Sequence, residues 1–378
     1  MTFVLTEDQD MLRDTAMTFV REELPVKHLR DLRDAGKNGV DPEGRAKLAE
    51  LGFFGVLIPE EHGGVEMGMV ALGQIMEAQG RTLAATPMLQ TACIGASTLL
   101  LGGTEAQKAE WLPKIAAGEI TTALALDEGT HHNPTGVATE AERNGQGYTL
   151  NGAKKFVQDG HFAELLIVIA RTFGEPGQTH GLTIFLVPSD AAGVTITPLK
   201  TVDSHGAAHI TFDDVHVADS HVIGAADKGW EVLEPVLDRG CIALASEALG
   251  SSIAAFEMTL DYLQTRKQFG QLIGSFQGLQ HRAARMFTDI ELTRSCVSAA
   301  LTAVDEQRND IGELASLAKA RASETVHLLS NETVQMHGGI GMTDAHESGF
   351  YMKRARVQEA MLGSASYHRD RYARLNNF

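Results

Sequence analysis

The sequence predicts an α+β protein made of a helical N-terminal part, a small β-rich middle and a long helical C-terminal part. Three observations predict it. Apolar residues recur with helical spacing up to about residue 120. From Thr121 to about Val222 the pattern changes to short β-branched runs separated by glycine and proline. From Gly229 onward helical spacing returns and persists to the end. These shifts place the expected domains at 1–120, 121–226 and 227–378.

Thr6-Glu7-Asp8-Gln9 reads as a capping box, in which a hydroxyl and an amide satisfy exposed N–H groups at a helix start. Leu12, Ala16, Phe19 and Val20 then fall on one face. A helix is expected over residues 42–51, followed by a loop that Pro59, Gly63 and Gly64 punctuate. Further helices are expected at 70–80 and 87–101. In the middle, residues 165–170, 182–187, 194–197 and 209–217 read as strands of a small antiparallel barrel or sandwich. In the last part, Val232, Leu233, Val236 and Leu237 share a face, as do Ile290, Val297, Leu301 and Val304. Helices to about Met336, over 347–362 and over 364–375 complete an expected four-helix bundle.

The 378 residues carry 32 basic and 49 acidic side chains, a net charge of −17. That charge argues against nucleic acid or an anionic membrane as partner, and any anionic substrate must meet a local basic patch. Cys93, Cys241 and Cys296 have no metal-type spacing and no even pairing, which suits a reducing compartment. The N-terminus lacks a cationic region, and the longest aliphatic run, 165–170, is too short for a bilayer. A soluble, cytoplasmic protein is expected. The adjacent His131 and His132 have no fixed third ligand, so no metal is expected.

Residues 262–277 read Tyr-Leu-Gln-Thr-Arg-Lys-Gln-Phe-Gly-Gln-Leu-Ile-Gly-Ser-Phe-Gln. This is the end of one helix, a turn at Gly270 to Gly274, and the start of the next. Arg266, Gln268, Phe269, Phe276 and Gln277 bring a guanidinium fork, amides and aromatic faces to the turn, a set suited to a diphosphate and a planar ring. The plainer reading is a surface ion pair for Arg266 and core positions for the phenylalanines.

The whole stretch resembles the Tyr-x-x-x-Arg-x-Gln-Phe-Gly-x-x-Ile-x-x-Phe-Gln signature of the acyl-CoA dehydrogenase family. A second match is Gln335-Met336-His337-Gly338-Gly339-Ile340-Gly341. The helix–barrel–helix order is also the family's, so the resemblance covers nearly the whole chain. It implies FAD as cofactor, an acyl-CoA substrate, an electron-transfer flavoprotein as partner and a dimeric or tetrameric assembly. It also implies that Arg266 and Gln335 with Gly338 and Gly339 hold the ADP part of a neighbouring subunit's FAD. Phe156 and Gln158 stand where the family places groups beside the flavin ring, although Gln158 replaces a shorter hydroxyl residue.

Removing an α proton needs a carboxylate, the developing charge on the thioester oxygen needs a donor, and the β hydride needs an acceptor. The family's two usual base positions fall here on Leu362, within Met361-Leu362-Gly363-Ser364, and on Gly240. Neither is a carboxylate. Asp238 and Glu247 are the candidate substitutes. Asp238 lies two residues from Gly240, and Glu247 lies two helical turns along. Their plainer readings are an exposed paired carboxylate and a buried ion pair. Glu359 reads as surface. The backbone N–H of Leu362 keeps its donor role whatever the side chain. The pattern resembles divergent chains of heteromeric, steroid-type acyl-CoA dehydrogenases. Two readings therefore compete: a dehydrogenase with a displaced base, and a non-catalytic subunit that completes a partner's FAD site. An oxidase on the same fold is a third.

Overall fold

The computed structural model describes residues 4–39, 42–145 and 147–378. In chain order the first helices are α1 (Glu7–Glu22), α2 (Val26–Asp34), α3 (Pro42–Glu50) and α4 (Gly68–Thr82). A π-helix (Met88–Gly95) runs into α5 (Ala96–Gly102), and α6 (Glu105–Ala116) follows. The strands are β1 (Thr122–Ala125), β2 (Glu140–Asn144), β3 (Gly147–Gln158), β4 (Leu165–Arg171), β5 (Leu182–Pro188), β6 (Val194–Leu199), β7 (Ala207–Ala218) and β8 (Val222–Ile223). The C-terminal part holds α7 (Trp230–Thr265), a hairpin of β9 (Lys267–Gln268) and β10 (Gln271–Leu272), α8 (Gln277–Asp305), α9 (Ile311–His337), α10 (Ser348–Ala360) and α11 (Ala365–Leu375).

Contacts divide the chain into two compact units: Met1–Ala35, Met69–Ala84 and Cys241–Phe378 form one, and Gly36–Gly68 with Ala85–Gly240 form the other. In the first unit, helices early in the chain pack with elements far along it.

In the helical unit the predicted capping box at Thr6 is formed, with both reciprocal bonds present. Helix α9 packs against α8, α10 and α11. The crossing of α4 and α7 is close enough to demand glycine: a Cβ on Gly80 would sit 1.9 Å from the Glu247 carbonyl oxygen, and one on Gly250 would sit 1.9 Å from that of Glu77. The Asp305 carboxylate accepts the Met69 and Val70 N–H groups at 2.6 and 2.9 Å, satisfying the start of α4. Helix α7 is long and apolar enough to cross a membrane by composition alone, but 83% of its apolar window is buried inside the protein. That is the position of a core helix.

In the other unit the strands form one eight-stranded sheet, ordered β6-β7-β3-β2-β4-β5-β8, with β1 beside β4. The sheet is mixed, not purely antiparallel, since both β1 and β2 pair parallel with β4. Its core gathers Leu150, Val168, Phe185, Val187, Ile210 and Phe212. Where a continuous helix was expected over 87–101, the first turns are a π-helix. The reason lies in β1: Thr122 Oγ1 donates to the Gln90 carbonyl at 2.7 Å, and the Thr122 and Leu124 N–H groups donate to the Thr91 and Gln90 side chains at 3.0 Å. The wider turn gives β1 partners along an edge that would otherwise be open.

Candidate active site

The arginine turn is a two-residue β-hairpin, tighter than the glycine-to-glycine turn expected. Its tip residues Phe269 and Gly270 both have positive φ, +52° and +82°. This is the pattern of a type I′ hairpin, for which Gly270 is suited and Phe269 is not. Phe269 is 89% exposed, which corrects its plainer reading as core, and its ring meets Phe276 edge-on at 6.1 Å. Arg266 and Gln268 are exposed, and among the described residues no carboxylate pairs with Arg266. Phe276 is the N-cap of α8 and Gln277 its first residue.

The second motif sits at the same end of the bundle. Tyr262, four residues before Arg266, stacks on His337 with ring centroids 4.5 Å apart. Thr259 Oγ1 donates to Thr333 Oγ1 at 3.0 Å one turn below. Helix α9 ends at Gly338, whose φ is +61° and whose N–H donates to the Gln335 carbonyl. A Cβ on Gly338 or Gly339 would meet nothing within 4 Å, so the backbone beside Gln335 is open. The fold thus brings Arg266 and Gln335–Gly339, 69 residues apart in sequence by their first members, to one end of the bundle. A guanidinium with no ion-pair partner among the described residues and open backbone at the same end of the bundle suit a diphosphate.

On the β unit, Phe156 is 62% exposed at φ +51°, inside an irregularity of the β3–β7 pairing between Lys154 and Val157. Its ring meets His209 edge-on at 5.3 Å. The Gln158 amide donates to Asp159 at 3.1 Å. Nearby, Glu128 accepts from Lys154 at 2.7 Å and from the Ala138 and Thr139 N–H groups. Burial pushes the Glu128 pKa up, but Lys154 and Thr139 outweigh it and hold it below the usual glutamate value. Asp127 holds His132 at 3.0 Å and the Asn133 N–H at 3.0 Å. These bonds tie down the segment after β1; the Asp127 bonds close a local loop, while the Glu128–Lys154 pair joins residues 26 apart in sequence.

The two candidate bases differ. Asp238, on α7, is 6% exposed, against the plainer reading that it lies on the surface. Glu247 is also buried, but its Oε1 accepts from Arg354 Nε at 2.8 Å and from Gln358 Nε2 at 2.9 Å. That oxygen is committed to an arginine and an amide on neighbouring turns of α10, so the geometry turns it toward the protein and not toward a ligand. The structure thus gives Glu247 the buried ion pair of its plainer reading. Glu359 pairs with Arg356 at 2.9 Å.

Leu362 lies just beyond α10, 9% exposed, with φ +54°; Gly363 follows at +105°. Among the described residues the Leu362 N–H has no acceptor, while its carbonyl accepts from His368 Nε2 at 2.8 Å. A free N–H on a left-handed corner is a donor held ready for a ligand oxygen.

Comparison with known proteins agrees across the whole chain. Residues 6–119, 123–215 and 227–375 match the acyl-CoA dehydrogenase N-terminal, middle and C-terminal domains. A probable acyl-CoA dehydrogenase, YngJ of Bacillus subtilis, is 32% identical over 98% of this chain and 98% of its own length. The butyryl-CoA dehydrogenase of Megasphaera elsdenii superposes with a TM-score of 0.91 at 26% identity, covering 100% of both chains. A chain of the ChsE4-ChsE5 complex of Mycobacterium tuberculosis superposes with a TM-score of 0.90 at 26% identity, covering 100% of this chain and 99% of its own.

Proposed function

The chain belongs to the acyl-CoA dehydrogenase family, and we propose that it acts as an FAD-dependent acyl-CoA dehydrogenase whose proton-abstracting carboxylate has moved from its usual places. The observation that carries the reading is that Arg266, without an ion-pair partner among the described residues, and the open Gln335–Gly339 corner lie at the same end of the bundle, where Tyr262 stacks on His337 at 4.5 Å. Arg266, Gln268, Gln335, Gly338 and Gly339 would hold the ADP part of FAD, with Phe269, Phe276 and Gln277 around it. Phe156 would cover the ring, and the second amide hydrogen of Gln158 would face it. FAD, when bound, supplies an acceptor for the β hydride.

This chain's own residues do the rest. The Leu362 N–H donates to the thioester oxygen, so that charge built up there on loss of the α proton is stabilised. Asp238 takes that proton on a carboxylate oxygen. Its burial and its place two residues from Gly240 support the assignment. Electrons leave for an electron-transfer flavoprotein.

A second reading is favoured by one specific contrast. The groups that would serve a neighbour's FAD are exposed and free, while Asp127, Gln158 and Glu247 are engaged in internal bonds. On that reading the chain completes a partner's FAD site within a hetero-oligomer, and it conducts no chemistry itself. Anaerobic titration of the purified protein with acyl-CoA separates the two. A yellow protein that bleaches supports the first reading. A colourless protein that gains flavin only with a partner chain supports the second.

A further inference from the structure

We propose that Lys319 and His368 are positioning residues that lock the Leu362–Gly363 corner from behind, so that the Leu362 N–H is presented to the thioester oxygen. The inference rests on the reading that this N–H meets a thioester.

The corner is unusual in how it is held. Leu362 carries a full side chain at φ +54°, a conformation that is unfavourable for any residue with a Cβ and persists only when surroundings enforce it. Its surroundings are three buried donors. His368 Nε2 donates to the Leu362 carbonyl at 2.8 Å, and the Cys241 thiol reaches the same oxygen at 3.7 Å. Lys319 Nζ donates to the Gly363 carbonyl at 2.8 Å and to Ser323 Oγ at 2.9 Å. Lys319 is 1% exposed and His368 is 2% exposed. Among the described residues no carboxylate side chain bonds Lys319: the Glu359 backbone carbonyl is its other acceptor, at 3.5 Å.

A lysine buried among backbone carbonyls is unfavourable, since desolvation opposes its charge. An apolar side chain of similar length would fill the same space without that penalty. What methionine cannot do is fix two consecutive peptide planes. The Leu362 N–H belongs to the peptide just before them, and that peptide is held from both ends: the Met361 N–H bonds the Val357 carbonyl at 2.9 Å on one side, and the two pinned planes follow on the other. The reaction needs that, because a donor works only when aimed at where charge will develop.

The test compares two ligands on the FAD-loaded protein by isothermal titration calorimetry. Acetyl-CoA has a thioester oxygen but no β carbon, so it binds without reacting. S-ethyl-CoA is its thioether counterpart and lacks the oxygen. Wild type is expected to prefer acetyl-CoA by about threefold to tenfold, the range of one aimed hydrogen bond. Lys319→Met and His368→Phe should each abolish the preference while leaving S-ethyl-CoA affinity unchanged. Variants that keep the preference, or that lose both ligands equally, overturn the proposal. If Lys319→Met fails to fold, Ser323→Ala loosens Lys319 without removing it; a preference equal to wild type in that variant overturns the proposal as well. A wild type that binds both ligands alike defeats the Leu362 donor itself, a different failure from variants that behave like wild type.

Discussion

Arg354 grips Glu247 through two guanidinium nitrogens, 2.8 and 2.7 Å from a single carboxylate oxygen, and joins α10 to α7 where both side chains are almost fully buried. Removing one partner of such a pair leaves the other charged and unsolvated. Glu247→Gln is therefore expected to destabilise the protein by about 3–5 kcal/mol, and the double variant Glu247→Gln/Arg354→Met to recover most of that loss. Denaturant unfolding measures both. Bleaching by acyl-CoA, normalised to folded protein, should survive Glu247→Gln. Loss of bleaching with stability intact would return Glu247 to the role of base.

The same pair shows what was legible in the sequence. The Thr6 capping box, the change of periodicity near Thr121 and the helices of the bundle are local patterns, and all are formed. The two FAD-type motifs were readable because each is a continuous stretch. Arg354 was not readable as the partner of Glu247, because 107 residues separate them and only the packing of α10 on α7 joins them. Lys154 and Lys319 escaped for the same reason: their burial depends on neighbours distant in sequence. The π-helix at Met88–Gly95 was missed because its cause is the edge of β1, not its own sequence.

Asp238→Asn tests the base directly. The substitution keeps size but replaces a proton-accepting carboxylate by a neutral amide. Bleaching is expected to slow by about 10²- to 10⁴-fold, the usual contribution of a positioned general base, while flavin content stays at the wild-type level. Stopped-flow absorbance measures the rate. A variant that bleaches at the wild-type rate removes Asp238 from the mechanism.

Two buried lysines give stability a particular pH dependence. Burial lowers Lys154 and Lys319 from the ordinary value of 10.5 to about 8. Lys154 is partly restored by Glu128 and Asp127 and further lowered by Arg171; Lys319 is partly restored by Cys241 and Glu359. Between these pH values the unfolded chain holds protons that the folded chain has shed, so each lysine adds stability as pH rises above about 8 and withholds it below. The full effect is about 3 kcal/mol per lysine, since each tenfold change in proton affinity corresponds to about 1.4 kcal/mol. Cys296 and Tyr351, both raised by burial, oppose the trend toward the alkaline end. The difference between wild type and Lys319→Met cancels those contributions. The denaturation midpoint of wild type should rise relative to that of Lys319→Met as pH goes from about 8 to about 10. Parallel midpoints across that range would mean that Lys319 keeps an ordinary pKa.

Arg266 separates cofactor binding from folding more cleanly than any other position. It is exposed and has no ion-pair partner among the described residues, so Arg266→Ala should change stability by no more than about 0.5 kcal/mol. A guanidinium held on a diphosphate forms charge-assisted, two-pronged bonds that a lysine reproduces poorly. Flavin retained after gel filtration should therefore fall several-fold in Arg266→Ala and remain low in Arg266→Lys. The hairpin predicts a companion effect. Phe269 sits at φ +52° with 89% of its surface exposed, so Phe269→Gly relieves backbone strain and loses little packing within the chain. If Phe269 packs against a neighbouring subunit or its flavin, Phe269→Gly will raise the stability of the isolated chain while weakening assembly and flavin retention together, as sedimentation and absorbance would record. Full flavin content in both Arg266→Ala and Phe269→Gly would show that the hairpin touches no cofactor.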